Sequence, residues 1–455
     1  MKHLGKHAIV IGASMGGLLA ARALSDFYTT VTMLERDTFP AADTPRKGVP
    51  QARHAHGLLA CGSAVIEAFF PGYTDEVVAQ SGGQIGDVAN DVIWMGRNVR
   101  LANGKSDLMG LLASRPVLEG HVRRRLLALP NVCAIESCSV RGLVANATSD
   151  RVTGVRACVA GKPEETIRAD LVVDATGRGS SSAMWLERLG YAPPANEKVH
   201  VGICYTSHTY RRRPGDLQGK LGIVVAGSAP SWRNGVMLAQ ENDTWIVSAG
   251  GFLGDDAPDN DQGFLAYLAT LPTMEIHDVV ARGEPLGEFN RYRYVASQRR
   301  HYEKIARFPE NYLIFGDALC SFNPIYGQGM TVAAQEAVML QQCLSTGAKD
   351  LARQFFKAAA AIVDIPWHIA VGGDLRHPQV EGVRSPMLRF INWYIDKLHL
   401  AATEDSTLAT AFLKVVNLKM PPSSLLRAAI ARRIWRGSLW PALSIDSSAA
   451  RQHGN

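Results

Sequence analysis

At 455 residues the chain is long enough for roughly two or three domains, each with a sizeable buried core. Its 47% hydrophobic and 20% charged residues are those of a globular protein and exclude a disordered chain, a small disulfide scaffold or a coiled coil. A formal net charge of +6 is slight for this length, so no nucleic-acid partner is expected.

The chain opens with strand, turn, helix and strand: His7–Ile11 is apolar, Gly12–Gly17 forms the turn, Leu18–Phe27 has helical spacing, and Val31–Leu34 is apolar again. After a polar loop from Pro40 to Pro50, the pattern predicts a helix over Gly57–Phe70, strands at Asp91–Met95 and Val99–Ala102, and a helix over Pro116–Leu129. Short strands should fill Val132–Leu171. From Val199 to Phe252 the period becomes strand-like, with a hairpin at Glu241-Asn242-Asp243. A buried strand at Tyr312–Phe315, a glycine-rich turn and a helix over Thr331–Leu344 follow. Beyond Lys349 helices are expected, broken at Pro366, Pro378, Pro386 and Pro421-Pro422.

Gly12-Ala13-Ser14-Met15-Gly16-Gly17 is one substitution from the dinucleotide fingerprint G-x-G-x-x-G, and it sits between a strand and a helix. The helix N-terminus would face a pyrophosphate, with Glu35 and Arg36 at the end of the second strand and the Glu35 carboxylate accepting from ribose hydroxyls. A carboxylate there repels a 2′-phosphate, so the site suits FAD or NAD rather than NADP. The second element is Leu313-Ile314-Phe315-Gly316-Asp317-Ala318, then Asn323-Pro324-Ile325-Tyr326-Gly327-Gln328-Gly329-Met330.

Together these motifs resemble the single-component flavoprotein monooxygenases. Within them, G-A-S-M-G-G, R-H-A-H and S-F-N-P-I-Y-G-Q-G-M look most like the bacterial olefin epoxidases and tailoring hydroxylases of natural-product biosynthesis. The resemblance runs from about Lys6 to about Arg433. It implies an α/β fold: a Rossmann-like FAD-binding domain, an inserted β-sheet substrate domain and a C-terminal helical region. The FAD-binding domain would comprise residues 1–75, 106–192 and 293–350, the substrate domain 76–105 and 193–292, and the helical region 351–455. It also implies that Asp317 holds the ribityl chain, with Gly316 before it, and that Pro324, Gly327, Gln328, Gly329 and Met330 lie beside the isoalloxazine. Arg46 and Gln51 resemble the loop that contacts FAD, Arg115 the helix start near its phosphates or ribose, and Asp174 and Gly177 the A-T-G turn. In Arg53-His54-Ala55-His56 the paired histidines have no further ligand at metal spacing, so His56 is expected to contact FAD or to be structural, and no metal is expected.

By the same resemblance, reduced flavin captures O2 as a C4a-hydroperoxide and passes one oxygen atom to the substrate, with NAD(P)H as a transient electron donor. The flavin carries the chemistry, so no catalytic side chain is assigned. Tyr205, Phe252, Tyr294, Pro324, Ile325 and Tyr326 are candidates to line the substrate, a hydrophobic polyketide, terpenoid or aromatic, because no charge clamp is visible. A polyprenyl reductase of similar fold is the main alternative, and a non-enzymatic lipid carrier a second. A halogenase would carry W-x-W-x-I-P, and Trp245-Ile246 has no second Trp; a disulfide reductase would carry a cysteine pair near the first strand.

The seven cysteines include no C-x-x-C pair, no leader of secretory type follows Met1, and no run approaches the roughly 20 apolar residues that span a bilayer. A cytoplasmic protein is expected. Leu425–Leu439 has Leu426, Ile430 and Ile434 at helical spacing among arginines, which suits a packed helix with a solvated basic face more than a membrane contact; Ser444–Asn455 should fray.

Overall fold

The opening apolar run is buried as a strand, Gly5–Ile11, and the computed structural model, which describes residues 3–41 and 43–437, continues it into a helix at Met15–Ser25 and a strand at Tyr28–Leu34. The helix begins at Met15 rather than Leu18 because Gly16 and Gly17 interrupt the apolar period without interrupting the backbone. Five parallel strands form one sheet in the order Tyr312–Ile314, Leu171–Asp174, Gly5–Ile11, Tyr28–Leu34, Val132–Ile135. Val10, Leu18, Val31, Val173 and Leu313 are fully buried in the core around it. Strands distant in sequence therefore end side by side, with Ile314, Asp174, Ile11 and Leu34 in register at the carboxyl end.

A second sheet has eight strands, running Cys320–Ser321, Pro285–Arg300, Asn196–Arg211, Thr244–Gly251, Asn234–Gln240, Gly222–Ala226, Val92–Gly96, Val99–Arg100. The hairpin falls where predicted, and Asn242 at φ +58° with Asp243 at φ +49° makes the two-positive turn that suits strand twist. A three-stranded antiparallel sheet spans Cys138–Ala145, Val152–Val159 and Glu165–Arg168. The helices Tyr73–Ser81, Asp261–Leu268 and Glu275–Ala281 and the ribbon of Gln84–Asp87 with Met109–Leu112 were not predicted, being short segments with little period to read.

Two expectations are corrected beyond Lys349. Pro366 does not break its helix, which runs through it from Leu351 to Asp374. A proline inside a helix costs about 3 kcal/mol, and here Phe355, Phe356, Val363 and Trp367 bury that helix in the main core against the Gly329–Ser345 helix. The same helix is long and apolar enough, by length and composition, to cross a bilayer, so such a run does exist. Helices at Pro386–Ala401 and Ser406–Val416 follow, with Pro386 in the first turn, where its missing N–H is not needed. Residues 428–437 are helical; the remainder of the helix predicted to Leu439, and the segment Ser444–Asn455, lie outside the described residues.

Candidate functional site

Because four strand ends stand in register, the turns beginning at Gly12, Glu35, Ala175 and Phe315 all leave one end of the parallel sheet, where open α/β folds place ligands. Gly12 lies at φ +96°, and a Cβ there would stand 2.8 Å from the Ala175 carbonyl oxygen; a Cβ on Gly17 would stand 1.8 Å from the Gly12 carbonyl oxygen. These two glycines let turn, helix and neighbouring strand close together. Gly16 works differently: its nearest neighbour is 3.9 Å away, so its missing side chain leaves space.

Ser14, in place of the middle glycine, builds a network. Its Oγ donates to Glu119 Oε2 at 2.9 Å and accepts from Arg115 Nη2 at 3.0 Å. Arg46 reaches Glu119 Oε1 at 3.1 Å and Glu35 Oε2 at 3.1 Å, and Glu35 accepts from the backbone N–H of Ala13 at 2.8 Å and of Asp37 at 3.0 Å. Burial would raise the Glu119 carboxyl, but the guanidinium groups of Arg115 and Arg46 hold it below its ordinary range. Glu119 was not singled out in the sequence, where it is one glutamate on a helix; only its i,i+4 relation to Arg115 was there to be read.

One cavity of about 1790 Å3 joins these turns to the eight-stranded sheet. Gly12, Ser14, Met15 and Gly16 line it, as do Glu35, Arg36, Arg46, Gln51, His56 and Arg115. Ala13 and Gly17 are backing rather than lining. Asp174, expected at the cofactor, is fully buried instead: Oδ1 accepts from the N–H and Oγ of Thr176, and Oδ2 from Ser180 and Ser182. It shapes the turn that presents Gly177, itself at φ +77° and in the lining.

At the second motif Gly316, Asp317, Pro324, Gly327, Gln328, Gly329 and Met330 all line the cavity. Asp317 stands between Gly177 and Gly329, each of whose added Cβ would be 3.9 Å from it. Its carboxyl lies deep in the molecule but opens to the cavity; burial raises its pKa while Arg178 and Arg115 oppose the shift. Gln328 is buried, with Oε1 left without a partner among the described residues. Beneath the turn, fully buried Glu336 accepts from the Gly316 N–H at 2.7 Å, and burial pushes its carboxyl up to about 8. Arg178, also not predicted, lines the cavity, donates to the Tyr292 hydroxyl and lies 4.7 Å from the Tyr294 ring centroid.

The candidates Tyr205, Phe252, Tyr294, Ile325 and Tyr326 face the same cavity. Phe252 stacks on His377 at 5.3 Å, and Tyr294 is almost wholly buried, so only part of each meets the space. His54 lies edge-on to Tyr205 at 4.7 Å, with Nδ1 2.7 Å from Ser207 Oγ, and the Ala55 N–H donates to Ser248 Oγ at 3.1 Å. The R-H-A-H segment thus fastens the glycine-turn side to the eight-stranded sheet. Burial pushes the imidazoles of His54 and His56 down to about 3 and about 4, so both are neutral hydrogen-bonding groups.

No family model matches the chain. PqsL of Pseudomonas aeruginosa, a probable FAD-dependent monooxygenase, is similar with a TM-score of 0.61 at 17% identity, covering 82% of this chain and 97% of its own. The flavin-dependent brominase Bmp2 is similar with a TM-score of 0.65 at 14% identity, covering 98% of this chain and 100% of its own. The fold is therefore that of the FAD-dependent monooxygenases, a fold on which halogenation is also carried out. The chain belongs to the family of Protein Rv3254 of Mycobacterium tuberculosis, with 36% identity over 455 residues and 94% of each chain covered.

Proposed function

We propose that the protein is an FAD-dependent monooxygenase that inserts one atom of O2 into an apolar organic substrate, by hydroxylation or epoxidation, with NAD(P)H as reductant. What carries the reading is the continuity of one cavity from the Gly12 turn, past Asp317, to the wall of the eight-stranded sheet. Sites for drug-sized ligands measure roughly 300–1,000 Å3, so about 1790 Å3 has room for a dinucleotide and a substrate together. The residues fit FAD on their own evidence: Gly16 and Gly327 leave open space at two turns, and Gln328 Oε1 is buried and has no partner among the described residues. Glu35 and Arg115 would hold the nucleotide end, and Asp317 and the Gly329 helix start the flavin end.

When bound and reduced, FAD supplies the activation of O2. The chain orients the substrate and keeps water out, through Ile203, Tyr205, Leu238, Phe252 and Ile325 on the cavity wall. In this reading the protein works in the cytoplasm. Its C-terminal basic helix is a packed element with a solvated face, supported by a buried Ile434 and the 2.8 Å pair of Arg433 with Asp405. Purified protein should be yellow and should oxidise NAD(P)H faster when substrate is present. Mass spectrometry of products formed under labelled O2 from apolar alkenes and aromatics decides the reaction: label in the product supports oxygen insertion, and reduced products without label select the reductase alternative.

A further inference from the structure

We propose that Arg97 and Arg376 form a clamp for a carboxylate or like oxyanion in the cavity wall beside Tyr326, and that the substrate is an amphipathic organic acid with an apolar body. This rests on the monooxygenase reading and revises its substrate class, from a wholly apolar molecule to one that carries an anionic group. The two arginines come from distant parts of the chain, Arg97 from the turn between the strands Val92–Gly96 and Val99–Arg100 and Arg376 from just past the Leu351–Asp374 helix. Both line the cavity.

The local charge does not balance. Arg97 and Arg376 share one carboxylate, Asp396: Arg376 Nη2 donates to Oδ1 at 2.9 Å and to Oδ2 at 3.2 Å, and Arg97 Nη1 donates to the same Oδ1. Both guanidinium-bearing side chains are largely buried, at 17% and 20% exposure, whereas Asp396 is 45% exposed. The other nearby acid, Asp374, accepts at Oδ1 from Asn323 at 2.8 Å and from the Tyr326 hydroxyl at 3.1 Å, its Oδ2 is buried without a partner among the described residues, and burial pushes its carboxyl up to about 7. His399, also in the lining, donates through Nδ1 to the Ile395 carbonyl at 2.8 Å, and burial together with Arg97 keeps it neutral, near a pKa of about 3. Burial and the neighbouring Arg376 push the Arg97 guanidinium down to about 9.

The backbone gives an independent sign. Arg97 lies at φ +57° and Asn98 at φ +62°, a turn in which glycine and asparagine are unstrained and a long side chain is not. A bulky residue persists there only where the surrounding structure holds it. Two guanidinium forks match the two oxygens of a carboxylate, and Trp94, Leu388, Ile391 and Ile395 supply apolar lining around them.

The test is calorimetric titration of flavin-loaded protein with 8-anilinonaphthalene-1-sulfonate and with N-phenyl-1-naphthylamine, the same rings without the anion. The sulfonate should bind at least about tenfold tighter. Arg97→Gln and Arg376→Gln should each bring that ratio towards one while leaving the neutral probe unchanged, and Arg376→Lys should retain part of it. A purely structural role would lower Tm without altering the ratio. Equal binding of the two probes, a preference that survives both glutamine variants, or variants that raise KM for NAD(P)H with the ratio unchanged would overturn the clamp. Flavin absorbance of the same samples separates the two readings: yellow protein without the preference loses the clamp alone, and colourless protein that keeps it loses the cofactor.

Discussion

Taking the charge off Glu119 leaves Arg46 and Arg115 buried without the partner they share, and breaking a buried pair costs about 3–5 kcal/mol. Glu119→Gln should therefore lower Tm and loosen FAD together, read by thermal unfolding and by flavin lost on dialysis. Asp317→Ala is expected to separate those effects: its carboxylate bears on the cavity rather than on the core, so FAD retention should fall while Tm of the flavin-free protein holds. Unchanged FAD affinity would remove Asp317 from its assigned role. Glu336 sets a pH dependence. Its carboxyl keeps its proton in the fold up to about 8 against an ordinary value of 4.5, so the stability tied to that proton is complete below pH 4.5 and is lost as pH rises through about 8. Glu336→Gln should flatten that part of the urea-midpoint profile between pH 5 and 9; a profile as steep as that of the unaltered protein would show that another group controls it.

At the scale of elements, adjacent glycines should respond differently to the same methyl group. Gly17→Ala places a Cβ 1.8 Å from a backbone oxygen and should disrupt the packing of the first helix on its strand. In Gly16→Ala the methyl has room within the protein but enters the space before the helix N-terminus, so the fold should persist with weaker FAD binding. The first βαβ unit could be read from sequence because its signals are local: an apolar run, a turn, a second run. Pro366 misled because local propensity predicts a break, while burial of Phe355 and Trp367 is decided by partners remote in sequence. Glu119, Arg178, Arg97 and Arg376 escaped notice for the same reason. Each is an ordinary charged residue until folding brings its partners to it, and the apparent lack of a charge clamp reflected only that separation.

For the molecule as a whole, the cavity draws on both large sheets and on the helices that follow them, so a ligand filling it ties these parts together. FAD at a hundred times its dissociation constant should stabilise the fold by about 2.7 kcal/mol. Adding FAD to stripped protein should raise Tm with FAD concentration; a Tm indifferent to FAD would contradict a site that spans the fold. The division of labour in the cavity wall also bears on how such a protein can diversify. Val224, Val236 and Leu238 face the cavity from two neighbouring strands of the eight-stranded sheet, whereas Gly12, Glu35 and Asp317 face it from turns of the other sheet. A combinatorial library at those three apolar positions can alter which molecules are accepted while its members remain yellow, so new specificities can be screened by colour first and by product second.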